Sequence, residues 1–399
     1  ISALLNIPFA HSAHSLGKRK LKGLLRAGVP REQAMRRYQF KERFDAEEIT
    51  LAKAEFVVTS TKQEIGFFDD YENARLSEYH CLPPGIDFER FHPYYEDLLP
   101  TSQRTETEKQ VMVTAQERID RFLTHPEKPP ILAICRPNRT KNIEGLLRAY
   151  GEDHELQTLA NLVIFAGIRG DIETMNPDEK ETLTQILLLM DKYNLYGKLA
   201  IPKTHDSENE VPAIYRLAAR RRGVFTNLAL HEQFGLTLLE ASACGLPTVA
   251  TRNGGPAEIV PNVENGILVD PKDTAAIQTA FKKILFDTEG WRQRSDVGIN
   301  RVRDIYNWDR HAIDYLKLVE PNRQASHGLG IKKQRQHPQA APRLRQCDTM
   351  FVTDIDGTLL SETDPNQPGL ERLRSILEDR GSEFIFAIAD RKSVCRERV

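Results

Sequence analysis

Two periods of apolar residues alternate along this 399-residue chain. Continuous runs such as Phe56-Val57-Val58-Thr59, Ile131-Leu132-Ala133-Ile134-Cys135 and residues 162–166 read as buried strands. Between them, apolar residues return at helical spacing: Ile143, Leu146, Leu147 and Tyr150 stand at i, i+3, i+4 and i+7. The same pattern predicts helices over residues 31–53, 106–123, 181–193, 211–219, 290–306 and 308–318, and strands over 81–87, 199–201, 223–226 and 266–269. Thr61-Lys62-Gln63-Glu64 is a capping box, and Asp273 caps a helix that turns Ile277, Phe281, Ile284 and Leu285 inward. Strands alternating with helices mean parallel sheets covered on both faces. The expected fold class is α/β, with two doubly wound domains facing a cleft.

The densest stretch runs from His231 to Val260, HEQFGLTLLEASACGLPTVATRNGGPAEIV. Leu236, Leu239, Ala243 and Leu246 give a helix with one buried face after Gly235. Glu232 precedes that helix and Glu240 lies within it, separated by about 12 Å of rise. A helix N-terminus entered through Phe234-Gly235 favours anions, so the segment suits a phosphate-bearing ligand with flanking carboxylates on its hydroxyls. On spacing alone an amphipathic helix with both glutamates in solvent is the commoner outcome.

Composition narrows the class. Charges nearly cancel, with 55 Lys+Arg against 57 Asp+Glu, so the chain lacks the basic footprint of a nucleic-acid binder. Five scattered cysteines without a CxxC pair argue for a reducing compartment and against a disulfide framework or zinc site. No apolar run has the length of a membrane span and the opening residues form no signal peptide, so a soluble, cytoplasmic protein is expected. Both ends read as cut from something longer. Residues 1–128 form one α/β domain that lacks its first strands, with a charged connection; 129–319 form the second. Residues 320–346 read as a basic flexible linker, and 347–399 open a third, unfinished α/β segment.

Other candidate chemistry clusters after strands, where parallel sheets bind ligands. His14 sits in the loop after the first strand, followed by Lys18, Arg19, Lys20 and Lys22; Arg36, Arg37, Lys41 and Arg43 follow on a charged helix. These cations suit a phosphate, or form a solvated face. Arg136 and Lys141 follow strand 131–135, where two cations would neutralise a diphosphate leaving group, or belong to an ordinary charged loop. Asp354 and Asp356 directly follow the apolar run Met350 to Thr353, a pattern that suits Mg²⁺ and an aspartate nucleophile toward a phosphate ester.

SAHSLGKRK, VVTSTKQEI, LPPGID, CRPNRTKN, YRLAARRRGVF and EQFGLTLLEASACGLPTVATRNGGPAEI, in that order from residue 1 to about 320, together resemble the sucrose-phosphate synthases. The two glutamates alone mark a broader class, retaining glycosyltransferases with two Rossmann-like domains in the GT-B arrangement. DIDGTLL is similar to the start of the HAD-like, phosphatase-related domain that some members carry. The resemblance implies that His14 reaches the transferred glucose, and that Lys20 and Arg43 hold the acceptor phosphate in the domain within 1–128. It implies that Arg136 and Lys141 grip the nucleotide diphosphate, Glu232 the glucose hydroxyls and Glu240 the ribose. Phe234, Gly235 and Leu236 match the turn whose backbone faces glucose and diphosphate. The chain departs from the family with Ser12-Ala13 for Thr-Gly, Gln233 for Pro and Asn138 for Asp, and the family's N-terminal glycine-rich loop would precede Ile1. In the phosphatase-like part Ala389-Asp390-Arg391 lacks the hydroxyl of the second motif.

The activity so implied is transfer of glucose from UDP-glucose to fructose 6-phosphate, giving sucrose 6-phosphate and UDP. It calls for no cofactor, with Mg²⁺ relevant only to a complete phosphatase-like domain. The implied partners are the two substrates and a sucrose-phosphate phosphatase, without nucleic acid or membrane. The rivals are sucrose synthase or another nucleotide-sugar glycosyltransferase, a sucrose-6-phosphate phosphatase, and an inactive fragment or regulatory pseudo-synthase.

Overall fold

The computed structural model describes residues 9–12, 16–26, 28–96, 105–206, 209–328, 349–353 and 384–388. They fall into two compact units, the first drawn from Ile1–Cys81 and Lys317–Val399 and the second from Leu82–Leu316.

Within the first unit three parallel strands, β1 (Ala10–Ser12), β2 (Phe56–Thr59) and β3 (Glu78–Cys81), lie in the order β1-β2-β3. All four residues of β2 are buried, as expected for the central strand of a covered sheet. The capping box is present with both of its hydrogen bonds, on a short helix Lys62–Ile65. Two expectations fail here. Residues 31–53 form two helices, Arg31–Arg37 and Phe40–Lys53, because Gln39 turns left-handed at φ 47°. Ala34 and Phe40 pack in one cluster with Leu21. Six residues along a continuous helix would point them about 120° apart, so the break is what brings both inward. The strand expected over 81–87, ending in a Pro/Gly turn, lies earlier at Glu78–Cys81, and Ile86 makes only an isolated bridge to Asn307. Pro83 and Pro84 have no N–H to extend the ladder.

Leu82–Leu316 is built on six parallel strands: β4 (Pro130–Cys135), β5 (Asn161–Ala166), β6 (Leu199–Ala200), β7 (Val224–Asn227), β8 (Thr248–Thr251) and β9 (Gly266–Val269). Their order is β6-β5-β4-β7-β8-β9. Counted from the first strand this is 3-2-1-4-5-6, the dinucleotide-binding order, whose direction reverses between β4 and β7. Alternate residues of each strand feed two cores. Leu132, Val163, Phe165 and Phe225 join one cluster with helices Glu210–Arg220 and Leu236–Ala243. Ile131, Ala133, Leu162, Ile164 and Val224 join the other with helices Ile143–Gly151, Pro177–Lys192 and Thr274–Leu285. Burial on both faces explains why the strands read as unbroken apolar runs.

Other boundaries shift modestly. The helix expected over 106–123 is Glu106–Asp120 behind a second capping box, Thr105 with Glu108. Asp273 accepts the Ala276 N–H as expected. The short helix His154–Leu159 was not foreseen, and the helix expected to end at 318 continues to Gly328. Strands β10 (Thr349–Thr353) and β11 (Phe384–Ile388) pair in parallel. The linker expected over 320–346 is therefore helical as far as Gly328, and its remainder, together with His14, Asp354, Asp356 and Ala389-Asp390-Arg391, lies outside the described residues. Among the described residues no helix is long and apolar enough to cross a membrane.

Candidate active site

The reversal of strand order leaves a crevice beyond the C-terminal ends of β4 and β7, and both loops that emerge there carry predicted site residues. After β4, Arg136 is exposed, and Asn138 begins a short turn over Arg139–Lys141. The Asn138 Oδ1 accepts the Lys141 N–H at 3.2 Å and the Thr140 hydroxyl at 2.7 Å. This cap fixes the turn that carries Lys141. An aspartate would accept the same two hydrogen bonds, so the family's usual residue and Asn138 are interchangeable as caps. Asn138→Asp is therefore expected to change the melting free energy by less than about 0.5 kcal/mol in a denaturant titration.

After β7 the chain runs through Leu228 to Gly235 and meets the first loop again. The Leu230 N–H donates to the Thr140 carbonyl at 2.8 Å. Lys141 Nζ donates to Glu232 Oε2 at 2.6 Å, and Asn227 Nδ2 donates to the same oxygen at 3.0 Å. Neither partner of the ion pair is far into solvent, with the Lys141 side chain 25% and that of Glu232 14% exposed. The Cys135 thiol beneath them is pushed up to about 12 by burial, against the pull of Lys141, so it stays a neutral neighbour.

A third segment completes the support. Glu232 bridges to Gly254 as in a parallel ladder, donating its N–H to the Asn253 carbonyl while its own carbonyl accepts from Gly255 N–H, both at 3.0 Å. Asn253 Nδ2 reaches the Leu230 carbonyl at 3.0 Å. Gly254 and Gly255 press so closely on this loop that side chains there would overlap the carbonyl oxygens of Glu232 and Phe234. The chain then enters the helix Leu236–Ala243 through Gly235, which is left-handed at φ 112°. Phe234 packs edge-on to Tyr306 at 6.3 Å, and Leu236 is 45% exposed at the helix start. The predicted turn of Phe234, Gly235 and Leu236 thus stands at a helix N-terminus beside the ion pair, a place that favours anions.

Glu240 has a different environment from Glu232. It accepts from the Tyr215 hydroxyl at 3.1 Å. Burial raises its carboxyl above the usual range, opposed by the Tyr215 hydrogen bond and by Arg90. Between the ordinary carboxylate pKa and this raised value the folded state binds more protons than the unfolded one. Stability therefore falls as pH rises through that window. Glu240→Gln is expected to melt higher than the unsubstituted chain at pH 8, and the gap should close as pH falls toward 4.5.

In the first unit, Lys20 lies on the helix Gly17–Arg26 with its ammonium 4.3 Å from the Tyr38 ring centre. Arg43 donates through Nε to Glu47 at 2.9 Å; Glu47 also accepts the Gly17 N–H at 2.9 Å and the Tyr71 hydroxyl at 2.5 Å. Arg43 is thereby anchored at the start of the helix that carries Lys20.

Three of the predicted residues, Lys141, Glu232 and the Gly235 turn, come together directly. Asn227 and Tyr215, which touch the two glutamates, were not singled out from sequence. The available signals were an amide closing an apolar strand and a tyrosine in a buried helix, and both are common. Among the described residues no cluster of three His, Cys, Asp or Glu could hold a metal ion.

Comparison with known proteins shows what the chain is similar to. Residues 115–300 match the model for glycosyl transferases group 1. Sucrose-phosphate synthase 4 of Arabidopsis thaliana is 40% identical over 91% of this chain and 38% of its own length. The sucrose-phosphate synthase of Zea mays is 39% identical over 80% of this chain and 32% of its own. This chain therefore spans about a third of the length of the curated relatives it matches. Among solved structures, a sucrose-phosphate synthase from Thermosynechococcus elongatus superposes with a TM-score of 0.58 at 26% identity, covering 79% of this chain and 68% of its own. Anabaena HepE, solved with UDP-glucose, shares the fold at a TM-score of 0.56 and 13% identity, over 79% of this chain and 72% of its own.

Proposed function

We propose that this chain, a homologue of the sucrose-phosphate synthases over most of its length, takes part in moving glucose from UDP-glucose to fructose 6-phosphate. The products are sucrose 6-phosphate and UDP, with the anomeric configuration retained. The observation that carries the reading is the Lys141–Glu232 pair at the reversal point of a 3-2-1-4-5-6 sheet, beside the N-terminus of Leu236–Ala243. A cation, a helix N-terminus and a carboxylate within one crevice suit a sugar attached to a diphosphate.

In the reaction the bond from the anomeric carbon to the β-phosphate oxygen breaks, a bond to the acceptor's 2-oxygen forms, and the acceptor hydroxyl's proton passes to the departing phosphate oxygen. Charge grows on the departing UDP. Arg136, the two remaining N–H donors of the Lys141 ammonium and the helix N-terminus stabilise it, so this scheme routes no step through a metal. Glu232 accepts from glucose hydroxyls, and Glu240 accepts from the ribose. His14 enters through the family resemblance, as the group nearest the transferred glucose. Lys20 and Arg43 take the acceptor phosphate, and a sucrose-phosphate phosphatase consumes the product. The cytosol is the compartment that this reading assigns.

The acceptor separates this reading from its nearest rival. UDP release from UDP-glucose should be faster with fructose 6-phosphate than with free fructose. Preference for free fructose would make the activity that of a sucrose synthase.

A further inference from the structure

Glu232 is held in an asymmetric way that its proposed role does not require. Both side-chain donors that reach it, Lys141 Nζ at 2.6 Å and Asn227 Nδ2 at 3.0 Å, bond to Oε2. Oε1 has no hydrogen-bond partner among the described residues. A carboxylate only accepts, and its two oxygens together offer about four lone-pair sites. Two donors, one from the turn after β4 and one at the end of β7, pin one oxygen of the carboxylate and leave the other for a ligand hydroxyl.

The two donors differ in kind. Lys141 is a cation that also serves the diphosphate in the proposed function. Asn227 is neutral and closes β7, with its backbone in register with Ala250 of β8. Its amide is orientated by a second bond, the Ala229 N–H donating to Oδ1 at 3.2 Å. That bond leaves only the NH₂ end for the carboxylate, so the amide presents a donor and never an acceptor.

We infer that Asn227 is a positioning residue for Glu232, setting affinity for the sugar of the donor while leaving affinity for the nucleotide untouched. This rests on the reading that Glu232 holds the transferred sugar. Removing the Asn227 donor frees the carboxylate to swing about its bond to Lys141 and misaligns Oε1. The diphosphate contacts of Arg136, Lys141 and the helix N-terminus stay as they were.

The test is calorimetric titration of the 399-residue chain with UDP-glucose and, separately, with UDP. Glu232→Gln, Asn227→Ala and the isosteric Asn227→Asp are compared, with a thermal melt of each. Asn227→Ala should weaken UDP-glucose about tenfold, the range of one hydrogen bond to a charged group, and leave UDP within about twofold. Asn227→Asp should weaken UDP-glucose further, because it replaces the donor with a like charge beside Glu232. The inference is overturned if UDP and UDP-glucose weaken together in both Asn227 variants, since a merely structural residue would act so. It is equally overturned if neither moves while Glu232→Gln loses UDP-glucose, or if both variants lose their melting transition. If Glu232→Gln binds UDP-glucose as tightly as the unsubstituted chain, the donor reading itself falls and takes this inference with it.

Discussion

Lys141→Ala is expected to lower kcat/KM for UDP-glucose by about 10²–10³-fold, the range found when one preorganised electrostatic donor to a developing anion is removed. The ammonium has two tasks, and both are lost at once. In the proposed reaction it stabilises charge on the departing diphosphate, and in the structure it neutralises Glu232, whose side chain is only 14% exposed. The second loss has its own signature. A largely buried carboxylate left without its cation costs about 1–3 kcal/mol, which a denaturant titration would read as a lower midpoint. Lys141→Arg tells the two tasks apart, because a guanidinium restores the charge without the single-point geometry of an ammonium. It should recover the midpoint better than the rate.

Gly254→Ala is the second large effect, and it acts without touching a ligand group. At φ 98° the residue is in the left-handed region, and a Cβ there would stand 1.8 Å from the Glu232 carbonyl oxygen. Backbone cannot yield as a flexible side-chain tip can. The strand-like bridge between Glu232 and Gly254 has to open, at about 2–4 kcal/mol for strain and overlap together. Loss of UDP-glucose binding with a lowered melting temperature is the expected outcome. Gly23→Ala is the matched control, since a Cβ at that helical position meets nothing within 4 Å. It should be neutral, or stabilising by up to about 1 kcal/mol, in the same melt.

These two effects show what the sequence conveyed and where it fell short. Lys141 was legible because it follows an apolar run, and such runs are reliable when a sheet is covered on both faces; Glu232 was legible from its place ahead of the helix entered through Gly235. Their contact was not legible. It depends on β4 and β7 being neighbours, which follows from strand order and not from any local pattern. Asn253-Gly254-Gly255 could be read as a turn, yet its packing against residues 232–234 is a tertiary contact with no sequence period. The amide of Asn227 is an ordinary strand end until its partner is known. The break at Gln39 escaped notice because the polar pattern of residues 31–53 is continuous. The break shows only in the tertiary contact it permits, Ala34 and Phe40 together against Leu21. The roles of His14, Asp354 and Asp356 rest on the resemblance and on local pattern alone.

On the proposed function, the crevice after β4 and β7 binds a uridine diphosphate group. A thermal melt of the chain over a UDP concentration series tests it most directly. Binding to the folded state alone should stabilise by about 2.7 kcal/mol at a hundredfold excess over Kd, and the melting temperature should climb with the logarithm of concentration. For a domain of this size that is a rise of about 5–10 °C. A melting temperature that stays fixed up to millimolar UDP would contradict the account.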